Sequence, residues 1–420
     1  MLILITISLI LLLFINLYIS KSYTYPPVVF TGIWAVYLFV LLIAGDMFYD
    51  LSTETLAIYY FGAVLFSIGG IISFIIPVRN ISNKKSRKIE RDQFISYAIK
   101  ISIVILIIGL PFYWKKITDL YIQSGLNDFW YAVRRQTIIN SQTSEYAFNL
   151  VNNLVPFSII IGLVSYYEYK MTNSYKIRTI IAVILALVYN LMTGGRSGAI
   201  SFIFSLIGME LITTKKINFK RLFLFIIILL IVAGSIAVVI EKGDASKSKS
   251  IIENIPALEK DLVFYGVGGV VGFNHIVKDR NIIPSNGGVA RFFLQTANNF
   301  GANYNIPSLH MDYLSISDNM STNVYTIYGY YYHDYGWPGV IFFMIFIGIM
   351  LTWIYRNAKY GKFVYIILYS YLFSGMLLSS HSEHFISSLN FIIKMLIVII
   401  FIYDLPLIKL NIRIKKEITC

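Results

Sequence analysis

Apolar residues along this chain are gathered into runs of about 15 to 20, separated mostly by short polar connections. A bilayer core of about 30 Å takes about 20 residues of helix to cross, and within it only helices or closed barrels satisfy the backbone. The runs are continuous rather than alternating, so they predict helices. They cover Leu2–Ile19, Val28–Ala44, Leu56–Ile76, Phe94–Phe112, Leu150–Tyr167, Ile177–Met192, Ala199–Thr213, Leu222–Ile240, Pro338–Tyr355, Phe363–Ser379 and Ile386–Tyr403. Ala199–Thr213 is short enough for a tilted or incomplete crossing. The first run lacks a basic stretch before it and a small-residue cleavage site, so it reads as a retained helix.

The expected fold is an all-α polytopic membrane protein of about eleven transmembrane helices. Residues 1–240 hold the first eight, with an outer loop at about 113–149. Residues 241–337 form a large outer loop of short helices between the eighth and ninth spans. Residues 338–420 hold the last three spans and a basic tail.

Composition agrees with this reading. Charged residues are 14% of the chain and hydrophobic ones 57%, whereas a soluble domain is about a quarter charged. The net charge of +13 is explained by topology. Most of the 35 Lys and Arg lie in alternate connections, at Lys21, 79–91, 170–178, 215–221, 356–362 and 409–416. By the positive-inside rule these connections are cytoplasmic, with the N-terminus outside and the C-terminus inside. Anionic lipid headgroups then face the excess charge, and no nucleic acid is needed. The only cysteine, Cys420, ends the tail, so neither an internal disulfide nor a Cys-based metal site forms.

All five histidines fall in stretches predicted on the outer side. Four stretches on that side carry candidate chemistry. In Thr193-Gly194-Gly195-Arg196-Ser197-Gly198, glycines expose backbone N–H groups, a helix N-terminus follows, and Arg196 adds a bidentate cation. That combination suits a phosphate or pyrophosphate, and it equally suits a tight turn whose arginine snorkels to lipid phosphates. Arg291, after Gly287-Gly288, and the pair Arg134–Arg135 offer further cations. The run Ser321–Val340 sets Asn323, Tyr325, Tyr332, His333 and Asp334 among tyrosines, where an aromatic belt is also expected. Aromatic faces beside amides and acids suit sugar rings. In His381-Ser382-Glu383-His384, adjacent ligand types cannot all aim at one ion on a helix, so a metal is not expected.

Taken in order, three segments resemble the Wzy-type O-antigen or oligosaccharide repeat-unit polymerases. They are Thr-Gly-Gly-Arg-Ser-Gly, then Leu-Glu-Lys…Phe-Tyr-Gly-Val-Gly-Gly…Phe-Asn (Leu258–Asn274), then Ser-Thr-Asn-Val-Tyr-Thr…Tyr-Tyr-His-Asp-Tyr-Gly-Trp-Pro-Gly. Tyr335 stands where that family often has Phe. The related O-antigen ligases carry a His about eleven residues before the Gly of a Gly-x-x-Gly, and here that position is Tyr325.

The resemblance implies a GT-C-like fold in a bacterial inner membrane and a reaction at its periplasmic face. Sugar repeat units on undecaprenyl pyrophosphate are joined, and undecaprenyl pyrophosphate is released. No cofactor or nucleotide sugar enters, and a chain-length regulator is a possible partner. On this reading Arg196 and Arg291 hold the pyrophosphate, with Arg135 assisting. His381, Glu383 and Asp334 are the candidate bases. Asn323, Tyr325 and Tyr332 line the sugar groove. Another lipid-linked GT-C transferase, such as the ligase, and a flippase for lipid-linked oligosaccharide are the competing readings. Flippases usually carry ionisable groups in mid-membrane, whereas these spans are nearly charge-free apart from Lys100 and Lys394.

Overall fold

In the computed structural model, residues 1–78, 88–140, 149–214, 220, 223–229, 251–283, 288–306 and 313–403 are described. The helices are α1 (Leu2–Ser20), α2 (Pro26–Ile43), α3 (Thr53–Ile72), α4 (Lys88–Ser124), α5 (Phe129–Asn140), α6 (Leu150–Thr172), α7 (Lys176–Leu191) and α8 (Ser197–Thr213). They continue with α9 (Ile251–Lys278), α10 (Arg291–Asn299), α11 (Thr326–Lys359), α12 (Phe363–Leu377) and α13 (Leu389–Tyr403). Six described helical segments are long and apolar enough to cross a membrane, and α8, α12 and α13 are shorter apolar helices. Of the run Leu222–Ile240, Phe223–Leu229 is helical and the remainder lies outside the described residues.

Local chemistry sets several helix starts. Two prolines open α2, whose first turn needs no N–H there. Ser52 caps α3 by accepting from the Thr55 N–H, and Asn149 caps α6 by accepting from Val151 and Asn152. Asp128 accepts from the Tyr131 N–H at 2.7 Å at the start of α5. The tightest pairing is α3 with α11. Gly69 lies on the Ile345 carbonyl and Gly348 on the Phe66 carbonyl, so any side chain there would drive the helices apart.

Contacts between connections sort into two ends of the bundle. At one end, the Tyr355 hydroxyl bonds Ser22 at 2.8 Å, and Arg356 bonds the Ile76 carbonyl at 2.9 Å. Arg178 pairs there with Glu168 and bonds Ser96 at 2.6 Å, and Lys170 pairs with Glu210 at 2.9 Å. At the other end, the Tyr49 N–H bonds the Ile316 carbonyl at 2.9 Å and the Ile327 N–H bonds the Ser379 carbonyl at 2.7 Å.

Three expectations change. The stretch expected as a loop at about 113–149 is largely helical as far as it is described, because α4 runs on to Ser124 and α5 covers Phe129–Asn140. The apolar signal ends at Phe112, but backbone hydrogen bonding carries the helix further. The stretch after Glu241 is not a set of short helices, since it holds the 28-residue α9. A small antiparallel hairpin, Leu314–Ser317 with Met320–Thr322, interrupts the otherwise helical chain. In addition α11 begins at Thr326, well before Pro338, and bends at Gly336, whose φ of 63° and ψ of −149° are not helical.

Candidate functional site

Helix α9 lies across the end of the bundle that gathers the candidate residues. Starting at its first half, Asp261 meets Arg196, Tyr265 meets His381, and Gly269 meets the Ser380 and Val324 carbonyls. Further on, the Val270 carbonyl accepts from the Tyr59 hydroxyl at 2.6 Å. Asn274 then accepts from the Ser52 N–H and Thr55 hydroxyl, both at 2.8 Å, and donates to the Asp50 carbonyl at 3.1 Å. Gly272, like Gly269, is a contact point: a Cβ there would meet the Thr322 side chain at 2.5 Å and Tyr325 at 3.3 Å. Thirteen residues separate Asp261 from Asn274, so these two contacts stand roughly 20 Å apart along the helix.

At the first of these contacts Arg196 sits just before α8. The turn leading to it is held by Thr193, whose hydroxyl donates to the Asn190 carbonyl at 2.7 Å and accepts from the Gly195 N–H at 3.3 Å. Gly194 has φ +72°, and a Cβ there would lie 2.7 Å from the Trp130 carbonyl, so glycine is required twice over. The Arg196 guanidinium is buried and forked onto Asp261, at 2.6 and 3.1 Å. It also lies 4.7 Å from the Tyr265 ring centre, and that ring stacks on His381 at 4.8 Å. Burial pushes the Tyr265 phenol up, while Arg196 and Arg134 pull it down. Arg196 is therefore not an open cation: Asp261 holds two of its five donors and offsets its charge. Arg134 rather than Arg135 faces this turn, with its Cβ 3.2 Å from the Cβ position of Gly194, whereas Arg135 is exposed.

Glu383 turns inward. One oxygen accepts from the Tyr331 hydroxyl at 2.9 Å and from the Phe385 and Ile386 N–H groups at 2.7 and 2.8 Å. The other accepts from the Ser387 N–H at 2.6 Å. With 2% exposure, Glu383, a candidate base by sequence, organises its own loop.

The remaining candidates gather near the second contact. Asp334 bonds His333 at 3.0 Å, and its other oxygen lies against Gly288, three residues before Arg291. Arg291 is half-buried, and burial lowers its pKa while Tyr330 raises it. Tyr332 is buried, and its hydroxyl donates to Glu54 at 2.8 Å. The Trp337 N–H reaches the same Glu54 oxygen at 3.1 Å. Arg280 donates twice to the His333 carbonyl, at 3.1 and 2.7 Å, and sits 5.9 Å from the Tyr332 ring centre. Asn323 and Tyr325 are half-buried, and Tyr325 flanks Gly272.

Asp261, Tyr265, Glu54 and Arg280 were not among the sequence candidates. A usable signal existed for the first two, since positions four apart share a helix face. Among the described residues, no group of three His, Asp, Glu or Cys side chains is placed to hold a metal. Fold and site together define a helical membrane protein with a polar, aromatic assembly at one end. No protein-family model, curated protein or solved structure matches the chain.

Proposed function

We propose that this chain is a polymerase that joins oligosaccharide repeat units carried on undecaprenyl pyrophosphate. It would act at the periplasmic face of a bacterial inner membrane, with about eleven spans, the N-terminus outside and the C-terminus in the cytoplasm. The observation that carries this reading is the convergence on α9. The segments behind the family resemblance are distant in sequence, yet Arg196, Leu258–Asn274 and Asn323–Tyr325 lie along one helix, joined by His381.

The chemistry available there suits glycosyl transfer. Cations would offset charge developing on the departing pyrophosphate. Aromatic rings beside amide and carboxylate groups suit sugars. In this scheme Arg291 faces the pyrophosphate, the Arg196–Asp261 pair fixes the turn before α8, and His381 and Asp334 are candidate proton acceptors.

The test is the surface-polysaccharide gel pattern of a deletion strain complemented with wild type or Arg196→Ala. A ladder that collapses to a single-repeat band, restored by wild type alone, is the expected result. Loss of all repeat-bearing material would instead favour a flippase or a ligase.

A further inference from the structure

Glu54 and Glu383 are held in opposite ways. Every hydrogen bond that Glu54 makes among the described residues falls on one oxygen, Oε1, from the Tyr332 hydroxyl and the Trp337 indole. Its side chain is exposed in the first turn of α3. Its carboxylate is thus oriented by two aromatic donors while Oε2 points away from them. Glu383 has both oxygens committed to backbone and is buried.

The surroundings match a transfer centre. Tyr332 and Trp337 supply aromatic surface, and the exposed Arg280 stands over Tyr332 without a carboxylate partner among the described residues. Gly336 keeps that position open, because a Cβ there would come within 3.3 Å of Arg280 Nη1. Trp337 also packs edge-on against Phe61, an exposed residue on the apolar face of α3, which puts the group beside the apolar belt where a lipid-borne headgroup arrives.

Resting on the polymerase reading, we infer that Glu54 is the base for the acceptor hydroxyl, and that transfer is centred at this end of α9. The acceptor hydroxyl oxygen attacks the donor's anomeric carbon. The bond from that carbon to the pyrophosphate oxygen breaks, and its electron pair leaves with undecaprenyl pyrophosphate. The hydroxyl proton passes to Glu54 Oε2 and from there to water. Arg280 offsets the charge gathering on the leaving group.

Glu54→Gln is a clean probe, since the amide oxygen still accepts from Tyr332 and Trp337 while the basic oxygen is replaced. Full-length protein in lipid nanodiscs would be given lipid-pyrophosphate-linked repeat units from the deletion strain, and undecaprenyl pyrophosphate release followed. We expect E54Q to lose about 100- to 10,000-fold in rate, with unchanged thermal unfolding and substrate binding. A Tyr332→Phe, Trp337→Phe double variant severs the tether but keeps the carboxylate, and should retain about a tenth of the activity or more. E54Q within about threefold of wild type would overturn the assignment. So would a double variant as inactive as E54Q, since Glu54 would then be a tether. If wild type itself releases no undecaprenyl pyrophosphate, the polymerase reading falls instead.

Discussion

The two ends of α9 treat arginine differently. At the Asp261 end Arg196 is buried and bidentate, with its charge cancelled by a carboxylate. At the Asn274 end Arg280 is exposed and leans on a backbone carbonyl and a ring. A buried guanidinium forked onto a carboxylate fixes geometry, and an exposed one is available to an incoming anion. The motif that looks most like a phosphate seat in sequence is thus the better engaged of the two, and the working cation need not be the one in the conspicuous motif.

The largest effect that can break this comparison concerns the buried pair. Arg196→Ala or Asp261→Asn alone leaves an uncompensated group and should cost about 3–5 kcal/mol of stability. The double variant, with both removed, should be less destabilised than the sum of the singles. Thermal unfolding of the four proteins in a double-mutant cycle measures this. Additive singles would mean that the pair is not coupled and that Arg196 is open to ligand after all.

A smaller effect is a pH dependence at the His381–His384 turn. Burial of the His384 ring holds its pKa below the usual 6.5 against the pull of Glu383. A folded pKa below the unfolded one means that the unfolded chain takes up the proton first. The stabilisation is therefore complete above about pH 6.5 and is lost as pH falls through the folded value. Melting temperature should drop on acidification below about pH 6.5, and more steeply in wild type than in His384→Gln. Equal slopes would remove this histidine from the account.

The smallest expected effect sharpens the choice between neighbours. Arg135→Ala, on the exposed side of α5, should change stability by no more than about 0.5 kcal/mol and, on the polymerase reading, leave polymer length unaltered. Arg134→Ala, against the Gly194 turn, should do more in the same assays.

Much of the architecture was legible because apolar runs long enough to cross a bilayer have few other uses. Gly194 was also legible, since a Gly-Gly turn before a helix has a restricted geometry. The pairing of Arg196 with Asp261 was not, because a shared face with Tyr265 does not say which residue 65 positions away it meets. Glu54 carries no motif: it is one acid at a helix start, where the helix dipole favours any carboxylate. Its partners Tyr332 and Trp337 are 278 and 283 positions away, a distance that no local pattern spans. Glu383 shows the reverse case: its setting between two histidines suggests reactivity, and only three-dimensional placement shows its oxygens bonded to the backbone.

The placement of α9 also bears on how the molecule is made. Its partners come from both directions along the chain: Ser52, Thr55 and Arg196 precede it, while Ser315, Val324, Ser380 and His381 follow. During synthesis the early contacts are available when α9 emerges, but the late ones wait until α12 has been threaded into the membrane. This end of the bundle therefore closes last, and a chain stalled before α12 has α9 without its late partners.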